Sequence, residues 1–420
     1  MSPDPSPPVA EDAETTAVRP TMDTGRAPAA IIWLSGLGAQ KVEQDLEEIT
    51  RRIAFACDRK AAAEATFAVR SAIQPENVGS GPRVSRCTIL RTDATGSPPI
   101  LDVYALPVAE RLIGDRADRS LPSQLWSAVR ALAHVAPKAW KTRKLGLGKT
   151  RRERWQLFYA RSFFVVMILG LVGVLGSLVS TIAVTDLPAE LKFLQGGIMF
   201  VGGLSIWKSA FAKRIGSAAL VGYSVVDYLD RGDDVGSQLR GQMAALLEQL
   251  GELKPPHESI DVVAYSFGSI VAIDTLFPYV QVPPPRLATI DTLITIACPF
   301  DFVRSYWNNY FTRRFSRVGA PGEWINFYAP SDVLASNFRN DPELDDATAG
   351  IAVREGQAPV REPTNVTYLI EGQEEPVSGK DFFLLKGLRF HAQYWSSRVA
   401  SEEGVFDEVI AHIGTRRAAL

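Results

Sequence analysis

From Phe163 to Val184 the chain runs for 22 residues without a charge, as FFVVMILGLVGVLGSLVSTIAV. At about 1.5 Å per residue a helix of this length reaches ~33 Å, enough to cross a hydrocarbon core of roughly 30 Å. A helix packed in a soluble core seldom stays apolar on every side for so long. The run is therefore expected to span a membrane. A second apolar stretch, Phe193 to Trp207, is shorter and carries Gln195. Lys192 and Lys208 flank it and can reach toward the interface. The connection TDLPAELK is short enough for a helical hairpin. Gly196, Gly197, Gly202 and Gly203 would permit close approach to Gly170, Gly173 and Gly176.

Charge sets the expected orientation. Nine Lys and Arg residues lie between Lys138 and Arg161, and Lys208, Lys213 and Arg214 follow the second run. The connection holds Asp186, Glu190 and only Lys192. By the positive-inside rule both flanks face the cytoplasm and the connection faces out. Trp140, Trp155 and Trp207 stand where interfacial anchors would, and the basic run suits anionic lipid. GLGKT, from Gly146 to Thr150, resembles the end of a phosphate-binding loop. Arg143 occupies the position of the required first glycine and no apolar strand precedes it, so no nucleotide site is expected.

The chain is long enough for a large domain plus an insertion: 420 residues, of which 46% are hydrophobic and 22% charged. A net charge of −2 offers nucleic acid no electrostatic footprint. Cys57, Cys87 and Cys298 are scattered and odd in number, which is neither a disulfide framework nor a metal-finger pattern. No metal and no cofactor is expected. Residues 1–28 are rich in Pro, Ala, Asp and Thr and read as a disordered tail; no basic segment leads into an apolar run there, so no signal peptide is expected.

On either side of the hairpin the pattern is α/β. AAIIWL, from Ala29 to Leu34, reads as a buried strand that ends in Ser35-Gly36-Leu37-Gly38. Val42, Leu46, Ile49 and Ile53 then recur at helical spacing. Strands are expected near Arg83 to Arg91 and Ile100 to Leu106, around a turn at Thr95-Gly96-Ser97. Beyond the hairpin Val235, Leu239, Met243, Leu246, Leu247 and Leu250 mark a helix that stops near Gly251.

Ile260 to Ala272 reads as strand, tight turn and helix, with A-Y-S-F-G at the turn. A serine on such an elbow needs small residues two before and two after it, because strand and helix approach closely. Gly268 meets that need and Ala264 nearly does. Leu293 to Ala297 is a further strand, ending at Cys298-Pro299. Trp324 to Tyr328 is another, followed by Ala329-Pro330-Ser331-Asp332. His391 comes last. The order is Ser266, Asp332, His391, with Asp301 as a competitor for the acid. Asp274 falls on the helix after the elbow and is expected to be buried or paired. Trp307, Tyr310 and Phe311 suit either an acyl pocket or ordinary packing. His134, His257 and His412 read as structural or solvated.

These features resemble the α/β-hydrolase superfamily, in particular its lipase- and esterase-like bacterial members, over about residues 29 to 106 and 215 to 415. The resemblance rests on LSGLG, AYSFG, the strand before Asp332 and the late His391. It departs in Ser35, where many members have His, and in Ala264, which replaces the first elbow glycine. It implies a mostly parallel sheet flanked by helices, here interrupted by the hairpin. It further implies that Ser266 is a nucleophile, His391 its base and Asp332 the acid that orients the imidazole. Backbone N–H groups of Phe267 and Leu37 would hold the oxyanion.

The expected organisation is a tail at 1–28, the first part of the hydrolase domain with its basic juxtamembrane segment at 29–160, the hairpin at 161–212, and the remainder with the triad at 213–420. The expected activity is a membrane-anchored ester or acyl hydrolase, with membrane lipids and the substrate as partners. The alternative is an inactive hydrolase-like membrane scaffold. A transport component fits two spans and a large soluble domain poorly.

Overall fold

Ala29–Leu34 is buried along its whole length because it forms the middle of a sheet covered on both faces. The computed structural model describes residues 27–38, 41–60, 66–70, 84–92, 96–117, 221–230, 234–254, 256–279, 290–307, 309–315, 321–332, 334–338, 350–351, 361–369, 390–394 and 404–413, together with the isolated positions 130, 133, 137 and 158. Eight strands are defined: β1 (Ala29–Leu34), β2 (Thr66–Arg70), β3 (Ser85–Thr92), β4 (Pro99–Leu106), β5 (Ile260–Tyr265), β6 (Thr292–Ile296), β7 (Glu323–Tyr328) and β8 (Thr364–Thr367). They form one sheet in the order β2-β3-β4-β1-β5-β6-β7-β8. Only β3 runs against its neighbours; every other pairing is parallel. The expected α/β class with a mostly parallel sheet is therefore present.

The helices are α1 (Val42–Lys60), α2 (Val108–Ala117), α3 (Asp234–Glu252), α4 (Phe267–Leu276), α5 (Phe300–Tyr306) and α6 (Val405–His412), and residues 221–230 are also helical. Strand side chains alternate between faces, so β1 sends Ala30, Ile32 and Leu34 to one side and Ala29, Ile31 and Trp33 to the other. On the first face lie α2, residues 221–230, α3, α4 and α5. On the second lie α1 and α6. Burying an aliphatic or aromatic side chain contributes about 1.5–3 kcal/mol, so both faces drive folding.

Local chemistry agrees with this arrangement. The first turn of α1 carries Glu43 and Asp45 and its last turn Arg59 and Lys60, which complements the helix dipole. Asp45 also accepts from Trp33 Nε1 at 2.6 Å, which satisfies the polar end of a buried indole. Arg59 joins α1 to α6 through two 2.7 Å bonds to the Asp407 carboxylate. α4 is buried on every side, and its polar side chains Ser269, Thr275 and Asp274 are each bonded within the fold.

The sheet reverses its direction of growth between β1 and β5. From β1 the chain crosses through α1 to the edge strand β2 and returns through β3 to β4, which pairs with β1 on one side. From β5 it builds through α4 to β6, β7 and β8 on the other. Adjacent strands whose following helices leave toward opposite faces open a crevice at their carboxyl ends, where ligands bind in open α/β sheets. Residues 118–220 connect α2 to the helix at 221–230. Ser224 Oγ donates to Leu112 O at 2.9 Å, so the chain leaves and rejoins the domain on the same face. Both apolar runs, 163–184 and 193–207, lie outside the described residues, as do residues 1–26. Among the described residues no helix is long and apolar enough to cross a membrane.

Candidate active site

Ser266 is the single residue between β5 and α4, and that tight junction leaves its backbone at φ 51°, ψ −125°. A non-glycine residue there stores about 1–3 kcal/mol of strain. Its N–H donates to Ile296 O at 2.8 Å, which ties the turn to the end of β6. Gly268 makes the turn possible. A Cβ there would lie 2.4 Å from Leu34 O and 2.6 Å from Ser35 O, so the helix rests directly on the end of β1. Ala264, in place of the first elbow glycine, packs fully buried beneath α4 without disturbing β5.

A serine before a helix ordinarily caps it, accepting from the second or third backbone N–H. Ser266 makes no such side-chain bond. Its Oγ lies instead 2.7 Å from His391 Nε2. His391 Nδ1 lies 2.8 Å from Asp332 Oδ2. A carboxylate only accepts, so Nδ1 carries the proton, and Nε2 is left to accept from the serine hydroxyl. Asp332 is fully buried. Its other oxygen accepts from Leu334 N–H at 2.8 Å, an Asx turn that fixes the carboxylate beyond the end of β7. His391 sits in a short turn closed by Gln393 N–H to Phe390 O, with buried Phe390 and Tyr394 anchoring its ends.

The loop after β1 reaches the same place. A Cβ on Gly36 would lie 3.0 Å from Ser266 Cβ and 3.1 Å from Tyr265 Cδ1. Leu37, next in that loop, is buried in the core. Phe267 opens α4, where the first N–H groups of a helix lack intrahelical acceptors. The five residues expected to share a site thus come from the ends of β1, β5 and β7 and from the 390–394 turn. Ser266, His391 and Asp332 meet where sheet growth reverses, with Phe267 next to Ser266 and Gly36, the neighbour of Leu37, closing on Ser266.

Asp301 is engaged elsewhere. It accepts from Ser336 Oγ and pairs with Arg304 at 2.9 Å. His257 bridges Tyr104 Oη and Pro28 O, and His412 packs edge-on against Phe327; His134 lies outside the described residues. Asp274 is buried with Arg314 at 2.8 Å and accepts from the hydroxyls of Tyr228 and Tyr310. Tyr310 and Phe311 are core residues, and Trp307 Nε1 donates to Asp230 at 2.6 Å, so these aromatics serve packing. The three cysteines are buried and unbridged. Burial pushes the Cys298 thiol well up and that of Cys57 up to about 12, so neither offers a thiolate near neutral pH. Among the described residues no group of His, Cys, Asp and Glu is arranged to hold a metal ion.

Tyr265 is the contributor that the motif did not reveal. It fills a variable position of the elbow, where no residue type signals a role. Yet its ring stacks on the His391 imidazole, centroids 5.6 Å apart and planes 25° apart, and its hydroxyl donates to the His391 carbonyl. Burial holds the phenol far above its ordinary range, so it stays a neutral donor. In comparisons with known proteins, no family model, no curated protein and no solved structure matches the chain.

Proposed function

We propose that this chain is a serine hydrolase of the α/β-hydrolase type that cleaves an ester or acyl substrate through an acyl-enzyme. The observation that carries this reading is the unbroken series Ser266 Oγ, His391 Nε2 at 2.7 Å and His391 Nδ1 to Asp332 Oδ2 at 2.8 Å, built at a strained elbow. The Ser266 hydroxyl attacks the substrate carbonyl carbon and gives its proton to Nε2. Asp332 stabilises the resulting imidazolium and keeps Nδ1 the protonated nitrogen. The oxyanion is held by the N–H groups of Phe267 and Leu37; each such donor is worth roughly 10²–10³ in turnover. The imidazolium then protonates the leaving oxygen as the carbon–oxygen bond breaks. Water, deprotonated by the same Nε2, attacks the acyl carbon; the bond to Ser266 Oγ then breaks as the imidazolium returns its proton to Oγ, releasing the acid and restoring the free enzyme.

The apolar runs at 163–184 and 193–207 support a second part of the reading: a hairpin over 161–212 tethers the domain to a membrane, with the site on the cytoplasmic side and lipid or acylated molecules within reach. A hydrolase-like scaffold without activity has no use for a strained serine whose hydroxyl caps nothing and meets an imidazole. A fluorophosphonate probe tests the chemistry. The wild type should be labelled covalently and Ser266→Ala, equally folded, should not. Labelling that persists in the mutant refutes the assignment. A panel of carboxylesters, thioesters and amides of increasing acyl length then names the substrate class.

A further inference from the structure

We propose that Tyr265 is a positioning residue that holds the His391 imidazole between Ser266 and Asp332. The proposal rests on the serine hydrolase reading and adds a residue to it. Two hydrogen bonds at opposite nitrogens hold an imidazole along one axis of its plane. They leave it free to tilt about that axis, and they say nothing of the backbone that carries it. His391 rides on a turn, not on a strand or helix, and its side chain is 15% exposed. Tyr265 supplies both missing constraints. Its ring lies near-parallel to the imidazole in an offset stack, centroids 5.6 Å apart, and its hydroxyl holds the His391 carbonyl.

Tyr265 is itself held by its surroundings. It ends β5, which is paired on both sides, by β1 and β6. The Gly36 backbone closes over one edge of its ring. Tyr394 meets it at 6.3 Å, and the Tyr394 hydroxyl accepts from Ala329 N–H at 2.8 Å, on the segment leading to Asp332. Tyr265 is also the residue covalently before Ser266. Nucleophile and base are thus both referenced to one residue at the end of β5. A phenol that merely satisfied its own buried hydroxyl would need none of the stacking and would not have to meet the base.

The test compares Tyr265→Phe with Tyr265→Leu in the full chain, using a short-chain nitrophenyl ester and a fluorophosphonate. Tyr265→Phe keeps the stacked ring and loses the backbone bond; Tyr265→Leu loses both. The expected result is a fall in kcat of about tenfold for Phe and about a hundredfold for Leu, with KM unchanged, because displacement of the base acts on the chemical step and not on substrate binding. The fluorophosphonate labelling rate should fall in the same order. Thermal unfolding of each variant separates this from loss of fold, and if Tyr265→Leu does not fold, Tyr265→Phe decides. Wild-type kcat in a folded Tyr265→Phe, or a rise in KM alone, overturns the proposal. Failure of the wild type to label would instead overturn the hydrolase reading beneath it.

Discussion

Gly268→Ala puts the elbow under the most direct strain the structure offers. The new Cβ would lie 2.4 Å from Leu34 O, 2.6 Å from Ser35 O and 2.8 Å from Leu34 C. Ordinary carbon–oxygen contacts stop near ~3.3 Å, so something must move by about 0.9 Å. Leu34 is held by its pairings with Leu106 and Ala264 and is fully buried, so the strand end does not yield. The start of α4 must lift instead, taking Ser266 and the Phe267 N–H with it. Overpacking of this kind costs about 1–3 kcal/mol, which for a domain of this size lowers Tm by about 2–12 °C. A shift near 1 Å at reacting atoms costs about 10² in rate. Gly38→Ala is the control, because a Cβ there meets nothing within 4 Å. Calorimetry and the fluorophosphonate labelling rate should separate the two variants. A Gly268→Ala protein with wild-type Tm and labelling would refute the close packing of α4 on β1, and with it the account of why this serine is exposed to its base.

Asp332→Asn should reduce turnover by around 10⁴-fold through the wrong imidazole tautomer. Asp301→Asn should keep turnover and lose stability, since Asp301 serves Ser336 and Arg304; steady-state kinetics with thermal unfolding checks both, and the reverse ranking would transfer the acid role. Because β1 pairs in register with both β4 and β5, residues on either side of the 118–220 segment share one sheet, and any crossing of a membrane between them must occur an even number of times. Single cysteines near Arg26 and Arg231 should be shielded from an impermeant maleimide in intact cells and one near Pro188 should react, against a low background from the buried native cysteines. Opposite sides for the Arg26 and Arg231 positions would sink either the hairpin or the single site.

The strands that position the site were legible because they are buried on both faces. β1, β5, β6 and β7 read as short, largely apolar runs, and the site residues follow the ends of β1, β5 and β7. The elbow was legible for a local reason, since a strand turning at once into a helix demands small neighbours wherever it occurs. The order Ser266, Asp332, His391 completed the candidate set. The edge strands β2 and β8 escaped notice. They are short, partly exposed and paired on one side only, so their identity comes from the neighbour they join and not from their own pattern. Asp332 was preferred to Asp301 on strand order alone, because both follow a buried strand by a few residues and no local pattern separates them. Their difference lies in direction: Asp301 turns into α5 toward Arg304 and Ser336, while an Asx turn aims Asp332 at His391. Tyr265 was read only as part of the elbow pattern. What makes it matter is a stacking partner 126 residues away, and a contact that distant is decided by the packing of the whole sheet.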